Sequence, residues 1–327
     1  RYFPYREAPL LRAGSFTFQD HCTIREDMGK ERIHISDFVN MYDPQCVFEE
    51  VKTTVRMAYP DFNFGPVDQA FKDIVNLFHG KYPGYRQCNS KYHDLRHTSD
   101  AFLALIRLIH GAILEGEKIG MGNVSLALIT ALMHDTGYIQ TEEDRSGTGA
   151  KYTLIHVERS IEFMEKYFTG NGFSKTQIKT GADILLCTEI NKESRVDNIK
   201  FSTGETELLG KMLGAADLLG QMADRTYVEK LPFLFHEYRE GNVGGYKSEM
   251  DLLMKTGAFY EKMKIRLSKD LGNVARFLPA HFKARYGISR NLYEEAIEKN
   301  MNYVKTVLKE SEVDYNKVFR RTRVVFN

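Results

Sequence analysis

The spacing of apolar residues predicts a helical body from residue 66 to the end of the chain. Apolar side chains cover nearly every face of residues 100–114, which is typical of a central buried helix. A second apolar segment, residues 124–133, has Asn123 in front of it as a candidate helix cap. Both segments are more apolar than a surface helix requires, so we expect them to cross the core.

Amphipathic segments continue the helical pattern through the rest of the chain. Ser202, followed three residues later by Glu205, has the spacing of a capping box and is predicted to begin the helix that contains Asp217. Further helices are predicted at residues 154–168, at residues 176–190, from residue 249 onward, and at residues 290–308. The predicted fold class is therefore all-α.

The first 65 residues lack this helical periodicity. Five of the eight prolines fall between Pro4 and Pro66, interleaved with aromatic and charged side chains. We expect an irregular amino-terminal segment, residues 1–65, that packs on a helical domain formed by residues 66–327. Short strands could exist near residues 33–38, although the pattern there is weak.

Composition and charge exclude several classes of protein. The 45 basic residues nearly balance the 44 acidic residues, so the sequence lacks the excess positive charge expected of a protein that binds a nucleic-acid polymer. It also lacks a membrane-length apolar run and a secretory signal. The four cysteines are widely spaced, which favours a reducing compartment. We therefore expect a cytoplasmic protein without a membrane partner, and a homodimer is possible.

Two short fragments carry the residues with metal chemistry. One contains His93 and His97, and the other contains the adjacent pair His134 and Asp135. Imidazole nitrogens and carboxylate oxygens are common ligands of divalent metal ions, and a buried His-Asp pair needs a partner that compensates its charge. On a helix, His93 and His97 would share one face, so both could bind one metal or one could face the substrate.

Asp217 is a candidate for a further carboxylate ligand. It interrupts the apolar face of a predicted helix, where Leu213 and Leu218 lie near it in sequence. The small residues around it would allow another helix to approach closely. A capping or ion-paired aspartate is the alternative interpretation of the same position.

The order of these residues resembles the HD superfamily of metal-dependent phosphohydrolases. The fragment from Tyr92 to Asp100 is similar to the motif Tyr-His-Asn-x-x-His-x-x-Asp of class I cyclic-nucleotide phosphodiesterases. The Ala-Asp-Leu sequence at Asp217 resembles the last metal ligand of that family. The resemblance spans roughly residues 91–240, and it implies an HD/phosphodiesterase-like helical bundle in which residues 66–327 form the catalytic domain.

The resemblance also implies roles for individual residues. The ligands of a tighter metal ion, Zn, Fe or Mn, would be His97, His134, Asp135 and Asp217. Asp135 would also bridge to a second ion, Mg or Mn, near which His156 is either a direct ligand or a supporting group. His93 would be the general acid that protonates the leaving oxygen.

Other side chains near the first fragment are candidates for supporting roles. Asp94, Glu142 or Glu143 could hold the protonated His93 ring. The candidate contacts to the substrate are Tyr92, Asp94 and Arg96.

The sequence departs from the phosphodiesterase pattern at three points, and these departures keep other functions open. Asp94 stands where that family has Asn, and the further His and Asn that follow its His-Asp pair are absent after Asp135. The glutamine that clamps a purine ring has no recognisable counterpart. We expect a phosphodiesterase that hydrolyses a cyclic or other small nucleotide phosphoester with a metal-activated water. The alternatives are a catalytically weak regulatory module that binds a nucleotide, and a nucleoside triphosphate or monophosphate hydrolase.

Overall fold

In a computed structural model, the described residues are 33–190 and 195–309, and they form twelve α-helices without a β-strand. The all-α prediction is confirmed for this part of the chain. The helices are α1 Pro44–Ala58, α2 Gly65–Phe78, α3 Leu95–Leu114, α4 Met121–Met133, α5 His156–Gly170, α6 Lys175–Leu186, α7 Arg195–Asn198, α8 Gly204–Ala223, α9 Tyr227–Glu240, α10 Glu249–Ile265, α11 Leu278–Tyr286 and α12 Leu292–Lys309. Among these residues, no helix is long and apolar enough to cross a membrane.

Helices α3 and α8 lie side by side at the centre of the bundle. Every residue of α3 from His97 to Ala112 is buried, as its apolar pattern predicts. The other neighbours of α3 are α1, α4 and α11, while α6 and α12 pack on α8. Gly220 allows the two central helices to approach closely, because a Cβ atom there would lie 3.1 Å from the backbone nitrogen of Ala101. Any functional residue on α3 or α8 is therefore held by the core.

The described part of the amino-terminal segment is more regular than the sequence predicts. Residues 44–58 form α1, which places Val47, Val51 and Val55 in the core. Pro44 starts this helix rather than breaking it, because proline is well suited to the first helical position and Asp43 caps the turn. Residues 35–37 form a 3₁₀ turn instead of a strand. Residues 1–32 lie outside the described part, and the domain boundary at residue 65 stays a prediction.

Two predicted helix caps are also corrected. Gly120, not Asn123, precedes α4, and the Thr203 side chain accepts the capping hydrogen bond of α8 from the backbone N–H of Thr206. Ser202 therefore lies just outside the helix. These shifts of one to three residues leave the candidate metal ligands on the helices that the sequence assigns to them.

Candidate metal centre

The first turn of α3 fixes the position of His97. Asp94 caps this helix, because its Oδ1 accepts a hydrogen bond of 2.9 Å from the backbone N–H of His97. His93 lies before the cap, so the expectation that His93 and His97 share one helical face is wrong. Their rings instead meet edge to face, with centroids 5.8 Å apart.

The carboxyl end of α4 delivers His134 and Asp135. His134 is the C-cap residue, and its Nδ1 lies 2.8 Å from the carbonyl oxygen of Ala131. This contact requires the proton on Nδ1, which leaves the lone pair of Nε2 for another partner. Asp135 departs from helical geometry and begins the 3₁₀ turn Thr136–Tyr138. The end of the helix thus aims two adjacent side chains at one point.

Four buried side chains converge there, and three of them, His97, His134 and Asp217, form a cluster that could hold a metal ion. The Nε2 atoms of the two histidines are 3.4 Å apart. Oδ1 of Asp217 lies 3.0 Å from Nε2 of His97 and 3.7 Å from Nε2 of His134. Oδ2 of Asp135 lies 3.2 and 3.3 Å from the same two nitrogens. Atoms bound to one zinc-sized ion are about 3 Å apart at octahedral angles and about 3.4 Å apart at tetrahedral angles.

Two atoms of this cluster, Nδ1 of His97 and Oδ2 of Asp135, are buried without a hydrogen-bond partner. Oδ2 of Asp135 is buried, yet it accepts no aligned hydrogen bond. A buried carboxylate oxygen without such a bond is costly, and coordination of a cation would remove that cost. The donor set of two imidazoles and two carboxylates therefore fits a divalent ion, and Asp217 is a member of the cluster, not a capping residue.

The carboxylates shift the protonation of the histidines. Burial alone would lower the pKa of His97, but the adjacent Asp135 and Asp217 carboxylates raise it well above its usual value. Burial would raise the pKa of Asp135, and His134 and His97 instead lower it well below its usual range. Without an ion, protons thus compensate the buried carboxylates. A bound cation would take over that role and displace them.

His156 approaches Asp135 from the other side. Its Nε2 lies 3.9 Å from Oδ1 of Asp135, whereas Oδ2 faces the first cluster. Nδ1 of His156 contacts the carbonyl oxygen of Thr153 at 2.7 Å. Burial, more than any neighbouring charge, lowers the pKa of His156, so its ring is neutral and Nε2 keeps a free lone pair. Asp135 consequently lies between two sets of histidine nitrogens.

Gly137 brings these two sets together. A Cβ atom at this position would lie 1.9 Å from the carbonyl oxygen of His156, which no side chain could tolerate. The backbone N–H of Gly137 donates to Oγ of Ser160, and its carbonyl oxygen accepts from Nε of Arg159. The glycine that follows the His-Asp-Thr sequence therefore allows the connection between α4 and α5 to pack closely against the start of α5.

His93 has a carboxylate partner that the sequence does not reveal. Oε2 of Glu237, on α9, lies 2.6 Å from Nδ1 of His93, and Oε1 accepts from the backbone N–H of Tyr92. This contact corrects the expectation that Asp94, Glu142 or Glu143 holds the ring. The ring of Tyr138 stacks on both the His93 and the His156 ring, with centroid distances of 4.3 and 4.6 Å.

A cleft of ≈ 840 Å³ opens over the centre. His93, Asp135, His156 and Asp217 line its floor, together with Gln221. Aromatic and apolar side chains form another wall; the main ones are Leu234, Tyr238, Tyr246 and Phe259. Two of the four clustered side chains, Asp135 and Asp217, are therefore directly accessible from this cleft.

The three candidate substrate contacts lie away from the cleft lining. Asp94 is engaged as the helix cap, and Nη2 of Arg96 donates to Oδ1 of Asp224 at 2.5 Å on another face of α3. The Tyr92 hydroxyl donates to Oε1 of Gln221, which itself lines the cleft. A direct contact of Asp94 or Arg96 with a ligand in the cleft has no support in this geometry.

Sequence reasoning missed three residues of the site: Tyr138, Gln221 and Glu237. Tyr138 follows the His-Asp fragment closely and could have been noticed as an aromatic residue near the ligands. Gln221 stands one helical turn after Asp217, and its amide lies 3.4 Å from Oδ1 of that residue. For Glu237 the sequence holds no such signal, because it lies on a separate helix far along the chain.

A comparison with known families adds one assignment. Residues 43–276, more than half of the chain, match the family model described as Npun_R2479-like. The chain belongs to this family. The description names no activity. No curated protein and no solved structure shows a significant match. Within the matched residues lie all the side chains of the candidate metal centre.

Proposed function

We propose that the protein is a metal-dependent phosphohydrolase, and that it acts as a phosphodiesterase on a small nucleotide. The observation that carries the proposal is the convergence of His97, His134, Asp135 and Asp217, of which the two carboxylates line a cleft. His93, which is paired with Glu237, lines the same cleft. A ligand set and a separate proton donor are the two parts that such a reaction needs.

The residues divide into two groups around Asp135. The nitrogens of His97 and His134, with Asp217 and Oδ2 of Asp135, would hold the tighter ion, for which we propose Zn, Fe or Mn. Oδ1 of Asp135 and Nε2 of His156 would share a second ion, Mg or Mn. When bound, such ions lower the pKa of a water and neutralise charge on phosphoryl oxygens.

His93 is suited to protonate the leaving oxygen. Glu237 lies within hydrogen-bond distance of Nδ1 and so fixes the ring with a proton on that nitrogen. With Nδ1 held by Glu237, Nε2 is the ring nitrogen left to carry the proton that the leaving oxygen would receive. Stacking on Tyr138 prevents the ring from rotating away. His93 is therefore held for proton transfer and is not needed as a metal ligand.

The wall of the cleft favours a substrate with an aromatic base. The rings of Tyr238, Tyr246 and Phe259 line the cavity above the centre, and Gln221 offers an amide beside them. Aromatic side chains stack on planar bases, and an amide can hydrogen-bond to a base edge. A nucleotide would thus place its phosphate at the metal centre and its base against this wall.

Metal content and turnover test the proposal together. Protein purified without added metal should contain about one transition-metal ion per chain, as expected for the tighter site. His134→Ala should lose the ion, whereas His236→Ala, which removes a surface histidine paired with Glu249, should keep it. Cyclic nucleotides, nucleoside triphosphates and p-nitrophenyl phosphate esters should then be assayed with Mn²⁺, Mg²⁺ and Zn²⁺.

The outcomes separate the alternatives. Turnover of cyclic nucleotides supports a phosphodiesterase, and turnover of triphosphates alone assigns a nucleotide hydrolase. Nucleotide binding without any turnover would assign a regulatory module. A folded wild-type chain that binds no divalent metal would overturn the proposal.

A further inference from the structure

A second cavity lies on another face of the two central helices. It has a volume of ≈ 370 Å³ and is separate from the metal cleft, since the two share no lining residue within the described part of the chain. Its charged lining residues are Arg96, Asp100, Arg107, Asp224 and Arg225. Three arginine and two aspartate side chains thus line one partly open cavity.

Arg107 is the most unusual member of this lining. Its side chain is 1% exposed, although it sits in the middle of the otherwise apolar helix α3. Nη1 donates to the hydroxyl of Tyr293 at 3.1 Å, and the ring of Phe282 lies 5.6 Å from Cζ. Nε and Nη2 are buried without any hydrogen-bond partner. These two nitrogens form one edge of the guanidinium, the edge that binds an oxyanion through two parallel N–H groups.

The carboxylates near Arg107 do not fill this edge. Within the described residues, Arg107 forms no ion pair of 4 Å or less. Glu50 contributes only from a distance, because its two oxygens bind Arg285 and the hydroxyl of Tyr286. A buried guanidinium with two unsatisfied donors is costly unless a counter-charge reaches it.

The two carboxyl groups of the cavity leave room for an anion. Asp224 is saturated, since it binds Nη2 of Arg96, Nζ of Lys230 and the backbone N–H of Thr226. Burial, followed by the charge of Asp224, raises the pKa of Asp100 to about 7. A protonated Asp100 repels no anion and can donate a hydrogen bond. Arg96 adds a further buried donor, because its Nε lacks a partner.

We propose that this cavity is a binding site for a small molecule with a compact oxyanion group, held in bidentate fashion by Nε and Nη2 of Arg107. Phosphoryl and carboxylate groups share the required chemistry, two oxygens spaced to meet parallel N–H donors. The ligand would contact α3 and α8, the helices that carry His97 and Asp217. It would not touch the metal centre itself.

Thermal unfolding of the full chain tests this site in solution. The protein is first stripped of metal and dialysed, so that the metal centre offers no ion to an added oxyanion. Sulfate, inorganic phosphate and acetate are then titrated separately at constant ionic strength against chloride. Binding to the folded state raises the midpoint with concentration. Sulfate and phosphate test the phosphoryl source, and acetate tests the carboxylate source.

Variants assign the effect to Arg107. Arg107→Met should abolish the rise in midpoint. Arg107→Lys keeps the positive charge but lacks the two parallel N–H donors of the guanidinium, so it should weaken binding at least tenfold. Arg276→Met, which removes an exposed guanidinium, should respond as the wild type does. An equal rise in Arg107→Met and the wild type, or no rise with any of the three anions, would overturn the proposal.

A crystal soak keeps the test decisive if the variants fail to fold. Wild-type crystals soaked in selenate and measured at the selenium edge should show an anomalous peak within hydrogen-bond distance of Nε and Nη2 of Arg107. Ordered water alone at this edge would contradict the proposed site. Neither readout depends on activity, so the result is independent of the proposed hydrolase function.

Discussion

Oε2 of Glu237 lies 2.6 Å from Nδ1 of His93, although 144 residues separate them along the chain. The same carboxylate accepts a hydrogen bond from the backbone N–H of Tyr92, so it binds both the ring and the backbone that carries it. Glu237 lies on α9, whereas His93 directly precedes the cap of α3, so the arrangement of separate helices brings the two side chains together. The pair therefore links the fold of the bundle directly to the proposed chemistry.

Glu237→Gln should lower kcat while the metal content stays unchanged. The amide keeps the shape of the side chain but replaces the carboxylate that contacts Nδ1 of His93. General acid catalysis contributes about 10²-fold or more, so we expect a loss of that size on substrates with poor leaving groups. A p-nitrophenyl ester, whose leaving group needs no proton, should lose much less.

The surface pair of Glu249 and His236 supplies a matched control, with atoms 2.9 Å apart. Glu249→Gln should leave kcat and KM as in the wild type for every ester. Equal losses on good and poor leaving groups in Glu237→Gln would argue against a role for His93 in proton donation.

Substitutions at Asp94 should separate a capping role from a role in substrate binding. Asp94→Ala removes the acceptor for the backbone N–H of His97, and we expect it to lower the free energy of unfolding by about 0.5–2 kcal/mol. Asp94→Asn keeps a good cap and should stay near wild-type stability. Urea denaturation measures both variants. If Asp94→Asn raised KM strongly at unchanged stability, Asp94 would have to contact the substrate.

Gly137→Ala should destabilise the protein and weaken metal binding together. The added Cβ would meet the carbonyl oxygen of His156 at 1.9 Å, so the start of α5 must move away from Asp135. Overpacking of this kind costs about 1–3 kcal/mol. Gly122→Ala, in the first turn of α4 where nothing lies within 4 Å of the new atom, should be neutral or slightly stabilising. Denaturant unfolding and metal titration of both variants measure the difference.

Stability should fall below about pH 6.5, the usual pKa of a histidine in the unfolded chain, in part because of His281. This residue is fully buried, and burial, with the nearby charge of Arg107, lowers its pKa well below the usual value. The unfolded chain then binds a proton that the folded chain does not, so the free energy of unfolding decreases as the pH falls. One such group contributes about 1.4 kcal/mol per pH unit in this range.

His281→Leu should remove that part of the pH dependence. Urea unfolding at pH 7.5 and 5.5 gives the slope for the wild type and the variant. His79→Leu, at an exposed position, should keep the wild-type slope. An identical slope in His281→Leu would mean that other groups cause the acid sensitivity.

Part of the candidate site is predictable from sequence because it depends on local geometry. His134 and Asp135 are neighbours at a helix end, so their proximity needs no tertiary information. Asp217 is conspicuous as the carboxylate within the buried, apolar part of α8. The expectation that His93 and His97 share a helical face is wrong, because Asp94 is the N-cap of α3 and the helix begins only after His93.

The sequence by itself determined the all-α class, the central helix and the candidate metal ligands. Hydrophobic spacing and neighbouring ligand residues are local patterns, which can be recognised within one or two helical turns. Only the tertiary structure decided that Glu237 holds His93, that Arg96 points away from the cleft, and that Arg107 keeps an unfilled edge beside a cavity. Hydrogen bonds and ion pairs act over a few ångströms, so the partner of a side chain depends on how distant helices pack. That packing lies beyond what local spacing specifies.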